Sequence, residues 1–365
     1  MRTRSRTGIR GWTSPRYSLW SLRLSCTAWP VPRAGPSPDL PTGVPTGALG
    51  PRVQAIGALC TGAYHWSKRT TQTVLEDLCG LPMSLGTVPH VEHATVPTLA
   101  APVAAAQPSG QTQPAAHPDA TGWHEHRTRA WLWGAVTAWG TVCVVRLSRG
   151  AKVAQELLGE RCCGILVTDR WSAYRWYPPR WRQVCWAHLL RDFDAMIARG
   201  GPSQQRGEGL RAQPRQLFPW WHQGRDGTLT HAQCRILMRP LRRHVARLRQ
   251  AGQTCGVAKT EGVCRAVRKV YEALWTFGRV AGIEPTNNAA ERAIRPGGLW
   301  RKGGLGTQGA RLVEAMMTVV ATLKQQHRHV LAYLTEACQA AYTGLPAPSL
   351  LPRHTEAKED LPIAA

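Results

Sequence analysis

Between Ala130 and Asp169 the hydrophobic pattern changes period twice, and this constrains the fold more than any other stretch. AWLWGAVTA (Ala130 to Ala138) and TVCVVRLS (Thr141 to Ser148) are strand-like runs rich in β-branched and aromatic residues. Only Trp139 and Gly140 separate them, which predicts a tight hairpin. KVAQELLG then spaces its apolar residues as a helix does, and CGILVTD (Cys163 to Asp169) is a short apolar run of the kind a buried strand makes. Hairpin, helix and buried strand together predict an α/β layer. The buried strand ends on the carboxylate of Asp169, and in such sheets ligands bind at the carboxyl ends of strands.

Upstream, PRVQAIGALCTGAYHW predicts a helix with Val53, Ile56, Leu59 and Cys60 on one side, and Ser67 to Cys79 a second helix with a serine cap. Gly80-Leu81-Pro82 reads as a turn, and Ser84 could cap a third helix. Residues 49–97 therefore fit a helix-turn-helix-like DNA-binding region and equally a plain helical hairpin. Pro89 falls inside the would-be recognition helix, where an interior proline costs about 3 kcal/mol. The Ala/Pro/Gln-rich residues 98–118 read as a linker.

Downstream of Asp169, RQVCW is strand-like and AHLLRDFDAMIAR helical, and residues 200 to 215 read as a polar connection. Two basic amphipathic helices follow, over about His231–Gln250 and Gly262–Val280. In the first, Leu237, Leu241, Val245 and Leu248 form a stripe, and arginines fill much of the rest: a solvated face residue by residue, a phosphate-facing surface as a group. RLVEAMMTVVATL and VLAYLTEACQAA are core helices, and residues 342–365 a polar tail. Residues 1–48 carry no acid before Asp39 and read as a disordered basic tail, a composition shared with organellar transit peptides.

Charge narrows the partners. The 365 residues carry 46 Lys+Arg against 22 Asp+Glu, a formal net charge of +24, which implies a polyanionic partner. An anionic membrane surface competes with nucleic acid, but no apolar run approaches the roughly 20 residues of a spanning helix. The 11 cysteines lack paired C-x-x-C spacing, so a reducing, intracellular setting is expected.

The stretch Pro285 to Lys302, PTNNAAERAIRPGGLWRK, predicts a short helix closed by Pro296, Gly297 and Gly298. With Asn288 as N-cap, Glu291 falls at the third helical position. There it fits a capping box, an ion pair with Arg295 four residues on, or a metal ligand. Asp119, at the entrance to the hairpin, and Asp169 supply two further acids. Three gathered carboxylates repel one another until divalent cations relieve them, and two Mg²⁺ ions so held activate a water or a 3′-hydroxyl for displacement at phosphorus.

The strings DATGWHEHRTRAWLWGAVT, VTDRWSAY, VCWAHLLRDF, PTNNAAERAIRP and LWRKGGLGTQ resemble the insertion-sequence sixty-six transposases, from about Gly50 to Ala341, and stand in the family's order. The resemblance implies a ribonuclease-H-like mixed sheet flanked by helices over residues 119–341, with a helical insertion at about 200–282 between the second Asp and the Glu. It implies a DDE triad of Asp119, Asp169 and Glu291 holding two Mg²⁺ ions, with Mn²⁺ able to substitute. Cys185 and His188 match a C-x-x-H motif, expected to support the site by packing and hydrogen bonding. Arg292, Arg295, Arg301 and Lys302 would contact phosphates and Trp300 would stack on a base. The implied partners are transposon-end and target DNA, further copies of the chain and accessory proteins of the same element, in the cytoplasm at the nucleoid. Ala120 stands where the family has Glu, Pro118 falls on the first strand, and residues 1–48 show no cysteine-paired zinc region. A truncated, catalytically impaired remnant that only binds DNA is therefore the alternative expectation.

Overall fold

In the computed structural model, residues 49–160, 164–212, 214–300 and 306–352 are described. The expectation for residues 1–48, and the residues Arg301 and Lys302, lie outside them. Three helices come first: α1 (Pro51–Gly62), α2 (Lys68–Cys79) and α3 (Thr87–Gln111). Ser67 caps α2 by accepting the amide of Thr70 at 3.0 Å, and Gly80 closes it in the left-handed conformation.

α3 corrects the linker reading of residues 98–118. The helix runs through Pro97, Pro102 and Pro108 because Val91, Thr95, Leu99, Pro102 and Ala106 are buried along one side, and that packing outweighs poor propensity. Pro89 is equally harmless. It is the third residue of α3, where the missing N–H has no intrahelical partner to lose. The exposed side of the first turns of α3 carries His90, His93, Ala94 and Pro97, with no Arg or Lys.

The sheet is made of β1 (Ala115–Glu125), β2 (Thr128–Thr137), β3 (Thr141–Arg146), β4 (Ile165–Thr168) and β5 (Arg182–Val184), with α4 (Ala151–Leu158) crossing from β3 to β4. The spatial order is β3-β2-β1-β4-β5, antiparallel across β1, β2 and β3 and parallel across β1, β4 and β5. The expected α/β class is observed as a mixed sheet flanked by helices. Period-two alternation divides its faces. Leu132, Cys143 and Val145 join Trp123 in one cluster, whereas Trp133, Ala135 and Val142 join Ala116 and Ala120 in another.

Pro118 sits well inside β1 without costing a ladder bond. Its carbonyl accepts from Asn287 Nδ2 at 2.8 Å, on the side away from β2, and pairing with β4 is confined to Ala115 and Ala116. The edge strand β3 is covered by α12 (Thr307–Gln325). Thr322 Oγ1 accepts from the amide of Thr141 at 3.0 Å, Thr318 Oγ1 from Cys143 at 3.0 Å, and Glu314 Oε1 from Val145 at 2.5 Å. Four helical residues rise about 6 Å, close to two residues of strand, so one helix stripe satisfies every outward amide of the edge.

The remaining helices are α5 (Trp186–Ile197), α6 (Gly201–Ala212), α7 (Pro214–Arg225), α8 (His231–Ala251), α9 (Ala258–Lys269), α10 (Asn288–Ile294), α11 (Gly297–Trp300) and α13 (Val330–Thr343). Residues 200–215 are thus mostly helix rather than a connection: Leu210 and Ser203 are buried, and Ser203 Oγ bonds Met196 O at 2.9 Å. The helix expected over Gly262–Val280 stops at Lys269, and two 3₁₀ turns follow. The tail expected from residue 342 is bound as far as 352, with Leu350 buried and Pro348 O accepting from Tyr333 Oη at 2.7 Å. Among the described residues no helix is long and apolar enough to cross a membrane.

Candidate active site

Backbone register brings two acids level. Ala115 of β1 pairs with Ile165 of β4, so Asp119 and Asp169 each lie four residues beyond a paired position. Asp119 is not at the entrance to the hairpin but inside β1, directly opposite Gly134 of β2. Gly134 permits the third approach: a Cβ there would come within 2.5 Å of Ile294 Cγ2, so its absence lets α10 lie against the strand. Asp119, Asp169 and Glu291 then line one open cavity of about 410 Å³, together with Arg149, His188, Arg191 and Arg295.

Each acid has its own restraint. Asp169 Oδ1 accepts from the amide of Trp171 at 2.9 Å, and its Oδ2 lies 3.6 Å from Arg149 Nη2. The Arg149 guanidinium is itself stacked over Trp171 at 4.4 Å and Trp131 at 5.1 Å. Behind it, buried Arg182 donates to Thr168 Oγ1 at 2.9 Å and to the carbonyl of Asp169 at 3.3 Å. Burial lowers Arg182 to about 10 despite the attraction of Asp169. Asp119 Oδ1 accepts from the amide of Ala120 at 2.8 Å. Burial nonetheless pushes Asp119 up to about 6, with repulsion from Asp169 and Glu291 acting the same way and His188 opposing.

Glu291 does not form the capping box. Asn287 rather than Asn288 is the N-cap, it makes no side-chain cap bond, and Glu291 becomes the fourth helical residue. The carboxylate turns toward α5, where Oε1 is 3.5 Å from His188 Nε2 and Oε2 is 3.4 Å from Arg191 Nη2. Glu291 Oε1 and His188 Nδ1 are buried and have no hydrogen-bond partner among the described residues.

Cys185 and His188 act on this helix from both ends of a single turn. Cys185 Sγ accepts the amide of Asn287 at 3.1 Å, and His188, three residues on, meets Glu291. Burial raises the Cys185 thiol, opposed by the amides of Asn287, His188 and Ala187. Asn287 is fully buried, and its side chain also holds Pro118 O, so one residue ties α10 to β1 through its side chain and to the start of α5 through its backbone amide.

Of the other candidates, Arg295 lines the carboxylate cavity. Arg292 and Trp300 instead line a different cavity on the other side of α10, and the Trp300 ring meets His65 at 3.8 Å. The side chain of Ala120 faces away from Asp119 into the cluster around Trp133. Sequence reasoning missed Arg149, Arg182, Arg191 and Asn287 as site neighbours. Asn287 stood in the helix-start signal, but the three arginines carry no local pattern that marks them.

Among the described residues no three His, Cys, Asp or Glu side chains stand close enough together to hold one ion as they are placed. The donors nevertheless fit a hard divalent cation: three carboxylates at one sheet end, with Glu291 Oε1 buried beside His188 but without a hydrogen bond.

A mixed α/β sheet with acids converging beside its parallel strands defines a candidate metal-dependent enzyme. The family model for the IS66 transposases matches residues 48–336, and the chain belongs to that family. The DDE transposase class carries nuclease and transferase activity in general and generally uses divalent metal ions. No curated protein matches the chain.

Proposed function

We propose that this chain is a DNA transposase that cleaves and joins strands at transposon ends, on a ribonuclease-H-like core, with Asp119, Asp169 and Glu291 as the metal-holding triad. The observation that carries this reading is the meeting of β1, the end of β4 and α10 around one acidic cavity. Two Mg²⁺ ions, or Mn²⁺ in their place, would supply activation of a water or 3′-hydroxyl and stabilise the leaving oxygen.

The chain's own residues prepare that site. Asp119 must lose its proton, which it holds up to about pH 6. With a cation bound, Glu291 would hold it in place of His188 and Arg191, which would leave both to meet the phosphate substrate. Arg149 and the Trp171 amide hold Asp169, and Cys185 holds the start of α10. Arg295 lies where it can contact a phosphate, and Arg301 and Lys302 follow from the family resemblance. Transposon-end and target DNA, self-association and a place at the nucleoid belong to the same reading.

The test is joining of a pre-cleaved transposon end to plasmid DNA with Mg²⁺ or Mn²⁺, alongside Mn²⁺ titration of the same proteins. Wild type is expected to join and Glu291→Gln to lose both joining and tight Mn²⁺ binding. Equal joining by the two proteins would falsify the triad.

A further inference from the structure

We propose that the outer face of α8 is a second, sequence-independent docking surface for the DNA duplex, separate from the carboxylate cavity. The inference rests on the reading of the chain as a DNA-processing protein, but not on its chemistry.

α8 spans His231–Ala251 and contains six arginines and no Asp or Glu. Its apolar side is fully used: Cys234, Met238, Leu241 and Val245 are buried in the cluster that also holds Leu217, Val267 and Phe277. Arg235, Arg239, Arg242, Arg243 and Arg247 are exposed on the other side. None of the five forms an ion pair with a described residue, although Arg242 stacks on Trp275 at 5.7 Å. Even the helix start is capped without an acid, through a box between Thr230 and Gln233.

Arg235, Arg239, Arg243 and Arg247 recur every four residues, so they climb the helix in steps of about 6 Å and span about 18 Å. Over that length a duplex presents about ten phosphates, one per roughly 1.7 Å of axis. Side chains kept charged, exposed and mutually repelling have a use when a polyanion neutralises them. A lipid surface is the poorer match: α8 has no free apolar stripe to insert, since only Ile236 among its large apolar side chains is exposed.

The experiment measures binding of the full chain to a labelled 40-base-pair duplex of arbitrary sequence across a salt series. One variant changes Arg235, Arg239, Arg243 and Arg247 to Gln. A charge-matched control changes the exposed, scattered Arg127, Lys152, Arg180 and Arg199 to Gln. The α8 variant is expected to bind about tenfold or more weakly near physiological salt, with its log–log salt slope reduced by up to about 3.6, because each of the four lost phosphate contacts removes about 0.9. The control should change far less. Equal losses in the two variants would mean that only net charge matters, and would overturn the surface. So would unchanged binding by the α8 variant, or tighter binding of anionic vesicles or duplex RNA than of DNA. Glu291→Gln separates this surface from the chemistry: it should bind the duplex like wild type. A wild type that joins ends while the α8 variant binds normally would sink α8 alone, and a wild type that binds no DNA would sink both readings.

Discussion

The carboxylate cavity and the outer face of α8 handle charge in opposite ways. In the cavity two of the acids face a cation: Asp169 has Arg149 and Glu291 has Arg191, with the His188 imidazole also against Glu291. On α8 the cations have no acids at all. A compensated site holds its shape at rest and must exchange partners to work. An uncompensated surface stays open for a partner that brings the opposite charge. The difference also separates two consequences of mutation, since loss in the cavity should affect chemistry and loss on α8 should affect affinity.

The sharpest break of that comparison is Glu291→Gln. A metal contribution of several kcal/mol, at about 1.4 kcal/mol per decade, predicts a fall of about a thousandfold in strand joining. Duplex binding should stay within about twofold, and a parallel loss of binding would erase the division between the two regions.

Asp119→Asn should show the same division in a pH profile. Asp119 titrates near 6 in the folded chain and at the ordinary 3.8 when unfolded, so between these values only the folded state holds the proton. Its contribution to stability therefore falls as pH rises through this window and is least favourable above pH 6. Without metal, Asp119→Asn should raise stability by about 1–3 kcal/mol at pH 7.5 and have little effect below pH 4, while losing joining activity. Thermal unfolding at the two pH values checks the sign, and a destabilised variant at pH 7.5 would contradict it.

Asn287→Ala comes next. It leaves Pro118 O without its donor and loosens the link between α10 and β1, for a cost of about 1–3 kcal/mol in urea unfolding. Reduced Mn²⁺ affinity should accompany it, because Glu291 rides on the helix that Asn287 starts. Arg191→Gln should have the smallest effect. The side chain is 63% exposed, and a pair of this kind is worth less than about 1 kcal/mol. Its unfolding midpoint should stay near that of wild type, and a large drop would show that the compensation in the cavity is structural.

Some of this was legible because its cause is local. The hairpin around Trp139 and Gly140, the acid after Ile165–Thr168, the serine cap of α2 and the helix carrying Glu291 all follow from periodicity and capping within a dozen residues. The family resemblance named Asp119, Asp169 and Glu291 as a set, and all three line one cavity. Other features misled for an equally plain reason. Residues 98–118, the second half of α3 and the first residues of β1, are rich in Ala, Pro and Gln, so their composition resembles a linker. Their structure comes from ten paired positions with β2 and from the burial of Leu99 and Ala106. The stripe of Glu314, Thr318 and Thr322 was hidden within an apolar helix because its partners are the amides of an edge strand some 170 residues away.

By itself the sequence determined which segments would be strand or helix where the period was strong. It also determined that Asp169 would end a buried strand and that the chain would carry a large positive charge. The tertiary structure alone decided that Asp119 lies opposite Gly134, that α10 settles where a Cβ is missing, and that Arg149 and Arg191 face the acids. The physical reason is distance along the chain. Propensity and capping act over one or two turns, whereas a carboxylate's neighbours are set by strand register and close packing between residues on different elements, up to 100 positions apart for Arg191 and Glu291.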